Sequence, residues 1–309
     1  MAMGTHASGQ DPRNETILVS INGELVTRAD AKVSAFDSGF VLGDGVWEGL
    51  RLHNGRIAFV GRHLARLYEG AKALDFDIGL TPDALAAEIG RAVAANGMTS
   101  GVHIRLMVSR GVKRTPYQDP RVTVGGATIV IIPEYKLPDE AVAARGVRLF
   151  TVHVRRGAPD VQDPKLNSHS KINCILACIQ AAKAGADEAL MLDPHGFVAT
   201  CNSTNFFVAR AGEIWTSTGR YCMNGITRGN VLRLCRDHAI PAFEKDFSLT
   251  DVYGADEAFV TGTFAGVVPA VEVDGRTIGD GRPGPLTGRL RRLYAALIDE
   301  ECPPPPPSP

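Results

Sequence analysis

The stretches ILVSINGELV (residues 17–26) and LRLHNGRIAFV (residues 50–60) each set Asn-Gly between two apolar runs. Asn and Gly tolerate the positive φ that a two-residue hairpin loop demands, so the dipeptide is the strongest local signal for adjacent antiparallel strands. Helical patterns follow. RHLARLYEGAKAL (62–74) is amphipathic, and TPDALAAEIGRAVAANG (81–97) has Thr81 as cap, Pro82 in its first turn and Gly97 past its end. GVHIRLMVSRG (101–111) and ATIVIIP (127–133) read as strands, and VRLFTVHVRRG (147–157) opens a second half. That half carries a helix over about 170–184, strands in DEALMLD (187–193) and FVATCNSTNFFVARAGEIWTS (197–217), and a helix after Gly225. A short helix in SLTDVYG (248–254), strands near 256–275 and a last helix over 286–297 complete it. Hairpins alternate with helices and there is no internal repeat, which predicts an α/β chain of the α+β kind in two domains. The expected division is a leader over 1–16, an N-terminal α/β domain over 17–152, a C-terminal domain over 153–300 and a proline-rich tail over 301–309. Leader and tail are both expected to be disordered.

Composition removes several function classes. A formal charge of −1 gives no electrostatic case for nucleic acid, and no apolar run approaches a membrane span. MAMGTHASGQDPRNET lacks the apolar centre of a secretory signal, which makes the cytoplasm the expected compartment. Six cysteines include no C-x-x-C pair; Cys174 and Cys178, four apart on an apolar helical stretch, are expected to be buried thiols. Eight scattered histidines show no ligand spacing, so no metal is expected.

YCMNGITRGNVLRLC (221–235) places Gly225, Ile226 and Thr227 at the start of an amphipathic helix. A small residue, a hydroxyl and a helix N-terminus suit an anion, although alone they more often make a plain cap. Their neighbours decide. Along the chain come GDGVWEGLR (43–51), RHLARL (62–67), DPKLNSHSK (163–171), TCNSTNFF (200–207), GITR (225–228) and TGTFAG (261–266). This order resembles the fold-type-IV aminotransferases, a family that includes branched-chain and D-amino-acid aminotransferases, (R)-amine transaminases and aminodeoxychorismate lyase. The resemblance covers Ile17 to Leu297, and the spacing from Asn205-Phe206-Phe207 through Thr216 to Gly225-Ile226-Thr227-Arg228 fits the family signature.

The resemblance implies a smaller N-terminal α/β domain and a larger C-terminal, pyridoxal-phosphate-binding domain with a β-barrel-like core. It implies an exchange of an amino group between a small-molecule amino donor and a 2-oxo acid acceptor, by a ping-pong route through a lysine Schiff base. Ile226 and Thr227 match the residues that hold the cofactor phosphate, Arg66 the arginine paired with it, and Thr263 a further hydroxyl. Lys165 is favoured as the Schiff-base lysine on its interval to Gly185, with Lys171 as the alternative; an ungapped count falls between them, near Asn167. Thr200 stands where the family carries a glutamate against the pyridine nitrogen, which implies a weaker electron sink. Trp47, His103, Arg105, Arg114, Tyr117, Phe264 and Ala265 are the substrate-side candidates. His103 and Arg105 share a strand face, while the loop 110–121 reads as a covering element. Two other readings stay open, a lyase on the same cofactor and a weakly active cofactor-binding homologue. A homodimer or larger homo-oligomer is expected.

Overall fold

The computed structural model describes residues 4–304, which fall into two compact units. The N-terminal unit holds Gln10–Leu137, Asn167–Ser170 and the described residues from Ile298 on. Its strands are β1 (Leu18–Ile21), β2 (Glu24–Thr27), β3 (Gly45–His53), β4 (Arg56–Ile57) and β5 (Val102–Ser109), a small hairpin of β6 (Val112–Lys113) with β7 (Thr123–Val124), and β8 (Thr128–Tyr135). Its helices are α1 (Ser38–Leu42), α2 (Val60–Ala73) and α3 (Pro82–Ala95). A six-stranded antiparallel sheet runs in the order β2-β1-β8-β5-β3-β4. Both Asn-Gly loops have positive φ at both residues, 51° and 83° at Asn22-Gly23 and 50° and 75° at Asn54-Gly55, as the hairpin geometry requires. Thr81 caps α3 by accepting from the N–H of Ala84.

Alternation along β3 sends Val46, Leu50 and Leu52 into one core with Leu64 and Leu67 of α2 and Leu85 and Ile89 of α3. Trp47, Gly49 and Arg51 fall on the other face. At its N-terminal end β3 is covered by residues 167–170. The N–H of Trp47 donates to Asn167 O at 2.9 Å, and the Asn167 side-chain amide donates to Trp47 O at 2.6 Å. The N–H of His169 donates to Gly45 O at 2.9 Å. An otherwise bare sheet edge is thereby satisfied.

The C-terminal unit holds the described residues up to Gly9, together with Pro138–Leu166 and Lys171–Leu297. It contains α4 (Glu140–Arg145), β9 (Val147–Thr151), α5 (Pro159–Gln162), α6 (Ile172–Lys183), β10 (Glu188–Leu192), β11 (Val198–Cys201), β12 (Asn205–Arg210) and β13 (Glu213–Thr216). After these come α7 (Ile226–Asp237), β14 (Ala242–Glu244), α8 (Leu249–Tyr253), β15 (Glu257–Gly262), β16 (Gly266–Val273), β17 (Arg276–Thr277) and α9 (Pro285–Glu301). The sheet runs β11-β10-β9-β16-β15-β12-β13-β14, with β17 on β16. β9 is parallel to both its neighbours, so Val147–Thr151 belongs to this sheet, and the units divide at Leu137/Pro138 rather than near residue 152.

β11 and β12 stand five steps apart in that order, about 24 Å in a flat sheet at ~4.8 Å per step. Only three residues link them in the chain, a reach of about 14 Å. The sheet therefore curls until its first and sixth strands meet, and Cys201 N–H donates to Thr204 O at 2.9 Å across the join. This is the barrel-like core that the larger domain was expected to have.

Three sequence expectations change. Residues 4–16 are packed rather than mobile: the Thr5 hydroxyl donates to the buried Glu188 carboxylate, and His6 stacks on Phe264 at 5.7 Å. The Asn14 side chain pairs with both backbone groups of Tyr135. In the tail, Glu301 ends α9, and Cys302 is buried and accepts from Asn54 through its carbonyl, while 305–309 lie outside the described residues. Cys174 is half-buried and Cys178 exposed, because α6 turns Ala177 and Ala181 to the core instead.

Burial pushes the Glu188 carboxyl up, and the Thr5 and Thr204 hydroxyls that donate to it only partly offset that. A folded carboxyl that holds its proton more tightly than the unfolded one contributes fully below about pH 4.3 and loses that contribution as pH rises towards the folded value. Glu188→Gln is expected to fold with a melting temperature near the parent's at pH 7, and to lose less stability than the parent between pH 5 and pH 8. Thermal unfolding across that range measures it.

Candidate functional site

In the C-terminal unit the site grows from the join between β11 and β12. The Thr200 hydroxyl donates to Thr204 O at 2.8 Å, and Asn205 Nδ2 reaches Thr200 Oγ1 at 3.5 Å and Met223 O at 3.0 Å. Gly225 N–H donates to the same Met223 carbonyl at 2.9 Å. Gly225 lies so close to Asn205 that an added Cβ would meet Asn205 Oδ1 at 2.2 Å. Asn205 is thus the wedge that shapes the turn leading into α7.

That turn ends in a helix start with no side-chain cap, since Gly225 is the N-cap. The first-turn N–H groups and the positive end of the helix dipole are the features of a helix start that suit an anion. Buried Thr227 adds a hydroxyl, 3.2 Å from the Tyr294 hydroxyl. Arg228 is turned away, donating to Ser217 O and to Glu244. Thr261 pairs across the ladder with Asn205, so their side chains share a face. Its hydroxyl is buried with no hydrogen-bond partner among the described residues. An uncapped helix start and an orphaned hydroxyl fit a phosphate-bearing ligand. Thr263, Phe264 and Ala265 form the turn between β15 and β16, and Gly266 closes it with φ 69°.

The two lysines differ. Lys165 is exposed in a turn; Lys171 is half-buried as the N-cap of α6. Two residues on, Asn173 accepts from Arg156 at 3.1 Å, and the same guanidinium donates to Tyr221 O at 3.3 Å. Arg156 therefore ties the start of α6 to the loop that runs into Gly225.

In the N-terminal unit Trp47, His103 and Arg105 come together on the sheet face away from the helices. The Arg105 guanidinium lies 4.0 Å from the Trp47 ring centroid, and an added Cβ on Gly49 would meet His103 Nε2 at 3.0 Å. Burial pushes the Arg105 guanidinium below its ordinary value, with Glu134 opposing. Arg114 and Tyr117 are exposed and stand outside this cluster.

Arg66 lies on the opposite, helix-covered face. Its Nε and one terminal nitrogen donate to the two oxygens of Glu48 at 2.7 and 2.6 Å, and His63 Nδ1 is 2.7 Å from the same carboxylate. Glu48 is fully buried. Sequence reasoning overlooked Glu48 and His63. The available signal was an acid on the apolar side of an alternating strand, followed by H-x-x-R on the next helix, since a buried carboxylate demands partners.

A model of the amino-transferase class IV family matches residues 45–273. Over 288 residues the chain is 38% identical to branched-chain-amino-acid aminotransferase-like protein 2 of Arabidopsis thaliana, covering 93% of this chain and 51% of that protein. It is 39% identical over 279 residues to a putative branched-chain-amino-acid aminotransferase of Methanocaldococcus jannaschii, covering 89% and 94%. The chain spans about half the length of the Arabidopsis relatives it matches. A branched-chain amino acid aminotransferase solved with N-(5′-phosphopyridoxyl)-L-glutamate superposes with a TM-score of 0.85 at 32% identity, covering 93% of this chain and 96% of that one. Among the described residues no helix is long and apolar enough to cross a membrane, and no His, Cys, Asp and Glu cluster suits a metal.

Burial pushes the Glu48 carboxyl up, but the hydrogen bonds from His63 and Arg66 outweigh it and hold the group below the usual carboxylate range. A depressed folded value gives stability that is present above about pH 4.3 and is lost as pH falls further. Glu48→Gln leaves Arg66 without its counter-charge and is expected to cost about 3–5 kcal/mol in denaturant unfolding at pH 7. The gap to the parent should narrow in acid.

Proposed function

The chain belongs to the class IV amino-transferase family, and from that membership we propose that it is a pyridoxal-phosphate-dependent transaminase exchanging an amino group between an amino acid and a 2-oxo acid. The observation that carries the reading is the uncapped start of α7, shaped by Asn205 against Gly225 and flanked by buried Thr227. The relative solved with a phosphopyridoxyl-glutamate adduct supports both the cofactor and the substrate class. When bound, pyridoxal phosphate supplies an electron-withdrawing ring that lets the Cα–H bond of an amino acid ionise.

The chain's own residues do the rest. N–H groups of Ile226 and Thr227 and the Thr227 hydroxyl bind the phosphate, with Thr263 as a further hydroxyl. The resemblance also assigns Arg66 to this phosphate; its Glu48 partner fixes the plane of the guanidinium. Thr200 has committed its proton to Thr204 O, so towards the ring nitrogen it offers only a lone pair. That holds the nitrogen's proton more weakly than a carboxylate would, and a modest rate follows. Lys171 Nζ is the amine that anchors the cofactor and carries the Cα proton; its half-buried position and the Arg156 bridge favour it over exposed Lys165. Arg105, backed by Trp47, is suited to a substrate carboxylate; the resemblance also assigns His103, Arg114, Tyr117, Phe264 and Ala265 to the substrate side.

Purified protein supplied with pyridoxal phosphate is expected to absorb near the visible edge and to transfer an amino group from an amino acid to a 2-oxo acid. Borohydride reduction and peptide mapping should find the pyridoxyl group on Lys171. Recovery on Lys165 would move the anchor and keep the reading; recovery on no lysine would remove covalent anchoring. Arg66→Ala and Thr227→Val should each shed cofactor faster on dialysis, each losing about 1.5–3 kcal/mol of charge-assisted bonding. Pyruvate released without any 2-oxo acid acceptor would assign the lyase activity instead.

A homo-oligomer is part of the same proposal. Ile172, Ile175, Leu176 and Ile179 of α6 are 64%, 50%, 45% and 45% exposed, and their i, i+3, i+4, i+7 spacing makes one apolar stripe. A stripe of this kind marks an association surface. Ile175→Glu with Ile179→Glu should lower the sedimentation mass to that of one chain, and an unchanged mass would move the interface elsewhere. Six free cysteines support the cytoplasm as its compartment.

A further inference from the structure

We propose that Tyr294 is a positioning residue for the phosphate cup, acting through Thr227; this rests on the cup reading above. Tyr294 projects from α9 and is 6% exposed, with its hydroxyl 3.2 Å from Thr227 Oγ1 across 67 residues of chain. Its ring lies against the β15–β16 turn: a Cβ added to Gly266 would meet ring carbons Cε1 and Cδ1 at 3.2 and 3.3 Å. One side chain thus touches the cup with its hydroxyl and Gly266, the first residue of β16, with its ring edge.

Proton accounting gives the contact its meaning. A phosphate dianion offers acceptors only, so Thr227 serves it only when its single hydroxyl proton points at the anion. A helical threonine ordinarily turns that proton to the carbonyl four residues back. Thr227 is the second residue of α7 and Met223 lies before the Gly225 N-cap, so no carbonyl of the helix stands beneath its hydroxyl; Met223 O is in any case occupied, accepting from Asn205 Nδ2 at 3.0 Å and from Gly225 N–H at 2.9 Å. Either hydroxyl could donate across this contact; the phenol is the stronger acid of the pair, and its donation into Thr227 Oγ1, which the proposal assigns, leaves the threonine proton for the ligand and polarises it. α9 is held for this task from its start. The Glu257 carboxylate accepts from the N–H groups of Leu286 and Thr287 at 2.9 and 2.7 Å, about two turns before Tyr294. Tyr294 therefore favours ligands that carry a phosphate monoester over the same ligand without it.

The test compares loss of pyridoxal phosphate from the parent, Tyr294→Phe, Thr227→Val and the double variant, with pyridoxal, which lacks the phosphate, as control ligand. Phenylalanine keeps the ring against Gly266 and removes only the hydroxyl. Tyr294→Phe is expected to release pyridoxal phosphate roughly three- to tenfold faster, the worth of one hydrogen bond. It should leave pyridoxal affinity at the parental value and move the ³¹P resonance of the bound cofactor. The double variant should release it no faster than Thr227→Val alone. Thr227→Val fast and Tyr294→Phe parental would overturn the positioning role and leave the cup standing. Both at the parental rate would overturn the cup itself. Multiplying effects in the double variant, or an equal loss of pyridoxal binding in Tyr294→Phe, would show Tyr294 acting through packing alone and overturn the proposal.

Discussion

The join between β11 and β12 is the constraint on which the C-terminal unit depends. Three residues hold together strands that a flat sheet would keep about 24 Å apart, and the curl of every strand between them follows. The join also sets out the chemistry. Thr200 lies before it and Asn205 just after, so one short link fixes their spacing and aims the Asn205 amide at the turn before α7. Glu188 sits under the same link, accepting from Thr204 and from Thr5. On the proposed reading, binding and folding share one geometry. A change that relaxed the curl would move the helix start and the hydroxyls together.

Two buried carboxylates show how differently the units treat a hidden acid. Glu48 meets a guanidinium and an imidazole and stays charged; Glu188 meets hydroxyl groups and is driven towards its neutral form. The first arrangement locks an arginine in one plane, which suits recognition of an anion by directed donors. The second secures the N-terminal residues without a buried net charge. Both acids occupy strand positions that face apolar cores, yet only the first comes with an arginine and a histidine one helix away.

What the sequence made legible was local. Both Asn-Gly hairpins and the Thr81 cap show in adjacent residues, because each answers a backbone requirement within four positions. That Asn205 and Gly225 belong together was legible in the spacing of the family signature, and the two do lie in contact. The allegiance of Val147–Thr151 was not, since parallel pairing to β10 and β16 leaves no trace in the strand itself. Nor was the seating of Thr5, whose partner is 183 residues away. Glu48 was overlooked because it reads as one polar residue of an alternating strand, and Tyr294 because it reads as an ordinary residue of an amphipathic helix. Such residues show their contacts only when distant elements are brought together.

The cover over the edge of β3 arrives late in the life of each molecule. Trp47 and the Asn167 amide that satisfies it are 120 residues apart. A ribosome adding about 5–20 residues per second needs roughly 6 to 24 seconds to make that interval. The hairpins on either side can close within about 10 microseconds. Once β8 is complete at Tyr135 the sheet has all its strands, and for the 32 residues up to Asn167, roughly 1.6 to 6.4 seconds, a nascent chain carries it with one open edge, the state in which β-proteins pair with the wrong partner. Crowded polysomes, where identical nascent chains emerge side by side, are where the hazard is greatest. The pace of translation, rather than the speed of folding, sets how long that edge stays open.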